Sequence, residues 1–424
     1  MPRAKAVVLG VAILFASLLM MFCASCANAQ IGERQMERRV TEIPVSELLS
    51  QPPAKLVDVH RQAAAYQLVS LTRPAWFAWI ALQLFALFYL WASGTAARSR
   101  DTLKRSIRSP ALVRFIFGAA LAGVVQLVAL PAQFFDYRVL RVMGLSTQST
   151  AGWFGDVLIT ALLEMVVVGV LVVIVLWLVD RTHLWWVYVA ALIFGLTFLL
   201  SYVFPIVIEP IFNRFTPLPP NRPLTARIET LARRAGEGQL PIYVSDLSRR
   251  THAGNAYVVG IGPSRRIVIG DTLLDAATDN EILFIVAHEL GHDVHGDTLR
   301  GSLFGAIIFV VAAALAVLIA DRVGFRRDDD PLSRLTLVGA LLGCVYLLFL
   351  PAINGYSRVI ESSADAYALQ LTHDRAGGTR AFVRFADEDL ALICPSRFAR
   401  LYWYTHPPLG TRIANLNGQR NPCP

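Results

Sequence analysis

Apolar residues run in long unbroken blocks along this chain, and the polar residues are gathered between them. Blocks at about 75–94, 112–133, 155–180, 184–207, 302–320 and 335–354 are each nearly all apolar. A helix of about 20 apolar residues crosses a bilayer, so each block predicts a transmembrane helix. One more block, 6–29, follows a short basic start at Arg3 and Lys5. It reads either as a first span or as a cleavable signal ending Ala27-Asn28-Ala29 before Gln30. The count of spans is then seven or six. The chain divides into this 1–29 segment, a membrane region over 30–207, a polar domain over 208–300, two further spans over 301–355 and a C-terminal segment over 356–424. The opening of the second part, 30–73, is mixed in polarity and predicts an extramembrane helix.

Inside the polar domain the periodicity changes. Thr225 to Ala235 places Ile228 and Leu231 on one side of a helix, which Gly236 and Gly238 end. Ile242-Tyr243-Val244 reads as a strand. Ala256 to Ile261 and Ile267 to Ile269 read as the two arms of a hairpin around Gly262-Pro263-Ser264-Arg265. The fold class predicted is mainly α, a polytopic membrane protein with a zincin-like domain that carries a small hairpin or sheet.

Composition agrees. The 424 residues are 55% hydrophobic and only 17% charged, against about a quarter charged in an average soluble protein. The net charge of +8 is no nucleic-acid footprint, because much of it flanks apolar spans, where Lys and Arg set topology and meet lipid headgroups. Trp76, Trp79, Trp185 and Trp186 fall near span ends, as interfacial aromatics do. Glu164 lies inside a span, and the reading favoured for it is a hydrogen bond to a neighbouring helix.

The chemistry centres on Ala287-His288-Glu289-Leu290-Gly291-His292. Residues four apart share a helix face, so two imidazoles can grip one Zn²⁺ while Glu289 reaches a water as general base. Thr278 and Glu281 form a capping box for this helix, and Ile282, Leu283, Ile285 and Val286 give it a buried face. A catalytic zinc needs a third protein ligand. His295 follows too soon after His292 and reads as a surface or supporting group. Glu361 is the better candidate, and Asp365, four residues on, can hydrogen-bond the free nitrogen of a zinc histidine. His406, held before Pro407-Pro408, can donate to the oxyanion that forms as water attacks an amide. Arg412 can orient His406 or pair with an acid such as Asp365. An extended peptide can add to the free edge of the hairpin, with Asn255 bonding its backbone; on spacing alone, the reading favoured for Asn255 is an ordinary turn residue.

With these residues in view the chain resembles the type-1 CAAX prenyl protease family, the seven-span membrane zinc metalloproteases. The likeness extends beyond the metal motif to Gly144 through Thr150, Pro210 through Pro217, Asn255-Ala256-Tyr257, Arg266-Ile267-Val268, Asp271 through Leu274, Glu361-x-x-x-Asp365 and His406-Pro407-Pro408 with Arg412, all in the family's order. The resemblance implies one zinc bound by His288, His292 and Glu361. It implies Glu289 as general base, Asp365 as proton donor or orienter, and His406 and Arg412 lining a cleft, with Asn255 and Ala256 on the substrate strand. It also implies a chamber walled by the membrane helices, and substrates with a C-terminal CAAX sequence and a prenylated cysteine. A quality-control protease cutting damaged membrane proteins is the alternative, so the partner expected is a peptide or lipidated-protein substrate within membrane lipid.

One departure concerns orientation in the bacterial inner membrane or its equivalent. Arg98, Arg100, Lys104, Arg105, Arg108 and Arg114 cluster in one connection, and Arg322, Arg326 and Arg327 in another. The positive-inside rule puts both in the cytoplasm. Alternation then places 208–300 and the C-terminal segment outside, where Cys394 and Cys423 are free to form a disulfide.

Overall fold

The computed structural model describes residues 39–323 and 330–423; the 6–29 block, with its choice between span and signal, lies outside them. Eleven helices carry the argument: α1 (Val59–Ala92), α2 (Thr95–Ser106), α3 (Pro110–Val142), α4 (Thr150–Arg181), α5 (Trp185–Val203), α6 (Pro223–Arg234), α7 (Asp279–Val294), α8 (Asp297–Arg322), α9 (Pro331–Thr372), α10 (Arg375–Asp387) and α11 (Leu409–Asn417). Six helical stretches among the described residues are long and apolar enough to cross a membrane, namely α1, α3, α4, α5 with its continuation to Phe212, α8 and α9. These are the six later blocks, each lengthened. The polar stretch before the first block is not a separate helix from Val59 onward. Asp58 caps α1 by accepting from the backbone of His60 and Arg61, and the helix runs on through Pro74. At the other end of the chain, α9 continues past its apolar block to Thr372.

The outward faces of these helices are apolar, as at Leu158, Leu162 and Val166 on α4 and Leu348 on α9. In water that exposure would be costly; in lipid it is the stable arrangement. Glu164 accepts from the Gln126 amide across the α3–α4 contact, the structural role favoured for it.

Successive spans run in opposite directions, so the molecule has two ends. At one, Lys104 of α2 pairs with Asp330 at the start of α9, and Arg114 pairs with Asp180. At the other, Arg250 of the polar domain donates to Asp156 near the start of α4 at 2.8 Å, and Ser146 after α3 bridges to Thr251.

The sheet has four strands, β1 (Phe215–Pro217), β2 (Ile242–Ser245), β3 (Ala256–Val259) and β4 (Arg266–Gly270), in the order β1-β2-β4-β3. The expected hairpin is β3–β4, antiparallel with Ala256 opposite Ile269. β2 joins β4 in parallel, and β1, which strand propensity did not suggest, adds to β2. Among the described residues no strand pairs with the outer edge of β3. Ile267 and Ile269 of β4, Ile228 of α6, Ile282 and Phe284 of α7, and Phe382 of α10 are all buried in one core. Each such side chain contributes roughly 1.5–3 kcal/mol of hydrophobic stabilisation. The core fixes α7 rigidly beneath the sheet.

Candidate active site

The start of α7 is set by its capping box: the Glu281 carboxylate accepts from Thr278 N at 2.8 Å and from its hydroxyl at 2.6 Å. Glu281 is wholly buried, and Arg384 of α10 donates to it from Nε at 2.8 Å. A buried carboxylate needs such a partner, and removing either member would strand a charge. Ile282, Leu283, Ile285 and Val286 are buried as their spacing predicts. His288 and His292 follow on the face turned to α9.

Gly291 decides how near that helix comes. A Cβ at Gly291 would sit 3.2 Å from the Tyr367 ring and 3.3 Å from the Ala364 backbone of α9. Glycine therefore allows an approach that brings Glu361 and Asp365 against the two histidines. The Nε2 atoms of His288 and His292 lie 3.2 Å apart. Glu361 Oε2 is 3.1 Å from the first, and Glu361 Oε1 is 3.6 Å from the second. Ligand atoms of all three residues lie within 4.8 Å of one another. Bonds of about 2.0–2.1 Å to one tetrahedral ion put neighbouring donors about 3.3–3.4 Å apart, so the spacing suits a small divalent cation. Two imidazoles and a carboxylate can hold such an ion.

The far nitrogens of both rings face acids. His288 Nδ1 lies 2.9 Å from Asp365 Oδ1, off the line of an ideal hydrogen bond. His292 Nδ1 lies 2.9 Å from Asp297 Oδ2. Each acid favours the tautomer that leaves Nε2 free to coordinate. Asp297 was not singled out in the sequence. Its position depends on the turn at Gly296, whose φ of 65° is a left-handed conformation that suits glycine. That turn folds the first residue of α8 back over His292. Burial lowers the proton affinity of His288, but Asp365 and Glu361 outweigh it and hold the imidazole pKa up to about 9.

Glu289 borders a cavity of about 370 Å³. Val258, Val259 and Gly260 from the β3 edge form one wall, and Thr197, Leu200, Ser201 and Phe204 from the end of α5 form another. Burial raises the carboxyl of Glu289 above its ordinary value. Asn255 is exposed at the entry to β3 and gives its carbonyl to Gly270 N at 2.8 Å, and Ala256 is buried. The portion of β3 bordering the cavity is thus its later half.

His406 does join the cluster. Its Nε2 is 3.1 Å from Glu361 Oε2, and its Nδ1 is 3.0 Å from Thr405 Oγ1. Burial lowers its pKa, with Glu361 pulling the other way. Arg412 is buried instead of lining open space. It donates from Nε at 2.7 Å and from a terminal nitrogen at 2.5 Å to the two oxygens of Asp365, the acid pairing being one of the two roles its position allowed. His295 stands apart, 3.3 Å from Ser363 Oγ.

Comparison with known proteins fits this geometry. Residues 219–420 match the model of peptidase family M48. Residues 51–214 match a model described as CAAX prenyl protease N-terminal, five membrane helices. The chain is 29% identical over 87% of its length to the uncharacterized metalloprotease YhfN of Bacillus subtilis, 88% of which is covered. It is 27% identical to CAAX prenyl protease 1 of Saccharomyces cerevisiae over 71% of each chain. It is also 27% identical to the CAAX prenyl protease 1 homolog of Arabidopsis thaliana, over 70% of this chain and 73% of that one. The crystal structure of S. mikatae Ste24p has the same fold, with a TM-score of 0.67 over 96% of this chain and 98% of that one at 22% identity.

Proposed function

The chain belongs to peptidase family M48, with the membrane region of the CAAX prenyl proteases ahead of its metallopeptidase part, and from that premise we propose a zinc endopeptidase in which His288, His292 and Glu361 hold the ion and Glu289 is the general base. The observation that carries this reading is the meeting of three ligand atoms from α7 and α9 within 4.8 Å, beside a carboxylate left over. When bound, zinc polarises the scissile carbonyl and lowers the pKa of water toward about 7.

The chain's own groups do the rest. Glu289 takes a proton from the attacking water and delivers it to the leaving amine. Its raised proton affinity suits a group that must hold that proton between the two events. Asp365 and Asp297 are positioning residues that hold His288 and His292 in the ligating tautomer. Arg412 balances the charge of Asp365, so that the buried acid stays ionised. His406 stands at the open side of Glu361, where an N–H can meet the oxyanion once substrate is present.

The substrate lies extended along the free edge of β3 and gains backbone hydrogen bonds there. Asn255 marks one end of that edge, and the cavity between β3 and α5 receives a side chain next to the scissile bond. The substrates are peptide bonds near the C-terminus of prenylated or otherwise membrane-associated proteins. The test uses purified protein with metal analysis. Glu289→Gln should keep one zinc per chain and lose cleavage, and a variant that still cleaves would refute the assignment. Competition between prenylated and unprenylated peptides then reads whether the lipid contributes to recognition.

A further inference from the structure

Two features at opposite ends of the molecule bear on where this site works. The first is the distribution of basic residues over the span ends. α2 joins the ends of two spans remote from the metal cluster and carries Arg98, Arg100, Lys104 and Arg105. Arg322 closes α8, and Arg334 lies in the first turn of α9, at the same end. At the cluster's end, the short connection 143–149 between α3 and α4 has no Lys or Arg, and the basic residues beside it are Arg138 and Arg141 near the end of α3, fewer than the far end carries. Topology follows Lys and Arg in short connections, while Asp and Glu contribute little, so Asp101, Asp180, Asp321 and Asp330 do not cancel the bias. The end bearing α2 belongs in the cytoplasm.

The second feature is independent of charge. Cys394 and Cys423 are joined by a disulfide, and both belong to the cluster's end. The bond lies against Gly410 at the start of α11, where a Cβ would meet both sulfurs at 2.9 and 3.0 Å. It therefore closes the segment that carries His406 and Arg412. Such bonds persist in oxidising compartments and are rare where thiols are kept reduced. The other cysteine among the described residues, Cys344, is free and lies within α9.

We infer that the active site opens on the oxidising, non-cytoplasmic side of the membrane, and that its substrates are segments of membrane-bound or exported polypeptides that have already reached that side. The substrate half of this inference rests on the hydrolase reading; the topology does not. The cavity beside Glu289 lies between β3 and the membrane helix α5, so a segment leaving the bilayer on that face meets the strand edge directly.

The experiment fuses two reporters separately to the C-terminus of the full chain: an alkaline phosphatase, active only outside the cytoplasm, and a green fluorescent protein exported unfolded and dark. Active phosphatase with dark fluorescence is the expected pair, and the reverse pair overturns the inference. In parallel, intact cells receive an impermeant quenched peptide that the purified enzyme cleaves. Cleavage by intact wild-type cells, lost with Glu289→Gln, is expected; cleavage only after permeabilisation overturns it. If the purified enzyme cleaves no peptide at all, the hydrolase reading fails, and the fusions still decide the topology.

Discussion

Replacing Asp297 with Asn tests whether the cluster is a metal site or only a set of buried polar contacts. Asp297 Oδ2 is 2.9 Å from His292 Nδ1, and its side chain is 10% exposed, so water does little to replace it. Asparagine keeps the size and one acceptor oxygen and removes the charge. A hydrogen bond to a charged group contributes about 1.5–3 kcal/mol, and loss of an acid behind a metal histidine typically costs about 10–100-fold in metal affinity. Tenfold corresponds to about 1.4 kcal/mol, so the two scales overlap, and zinc affinity should fall roughly 10–100-fold. The assay is competition against a chromophoric chelator in detergent, with circular dichroism to show that the helices are intact. Since Asp297 touches neither Glu289 nor the cavity wall of β3, residual activity at saturating zinc should be near wild type. Unchanged zinc affinity in a folded Asp297→Asn protein would refute the account of how His292 is held.

Four other outcomes follow from the same geometry. Glu289→Gln should lower kcat about 10²–10⁴-fold, the usual contribution of a positioned proton carrier, with bound zinc unchanged by elemental analysis. Metal binding should depend on pH through His288, whose pKa is raised to about 9. Its proton must leave before Nε2 can coordinate, so zinc affinity should climb as pH rises toward 9 and fall in acid, as titration across that range would show. Serine at Cys394 and Cys423 together should destabilise the protein by roughly 3–4 kcal/mol on the loop-entropy model for partners separated by 29 residues, read as a lower melting temperature that reductant does not lower further. Gly291→Ala should push α7 from α9 at a cost of about 1–3 kcal/mol, seen as weaker zinc binding together with lower stability.

How much of this could be read from the sequence depended on distance along the chain. His288 with His292, and Glu361 with Asp365, were legible because four residues make one turn of helix and no tertiary knowledge is needed. Their meeting was inferred from the number of protein ligands a catalytic zinc takes. Asp297 was not legible, because its contact is made by a left-handed turn whose direction no periodicity records. The spans were visible as apolar blocks, but not the ends of their helices: Val59 to Arg73 and Tyr356 to Thr372 are polar enough to interrupt an apolar block, yet nothing in them breaks a helix. β1 escaped because Phe215-Thr216-Pro217 is short and ends in proline, which suits an edge and gives no strand signal. The pairing of β2 with β4 is parallel, a relation between strands distant in sequence that neither strand's own residues record.

Helix α9 has 42 residues, a length of about 63 Å, while the hydrocarbon layer of a bilayer is only about 30 Å thick. One helix, with Pro351 inside it, thus runs from the far leaflet to the carboxylates of Glu361 and Asp365. When a membrane thickens or thins, a span of fixed length answers by tilting. Glu361 and Asp365 lie roughly three to four turns beyond Pro351, so the membrane-crossing part of α9 and the part that carries the two carboxylates meet near the one residue inside the helix that cannot donate to its ladder.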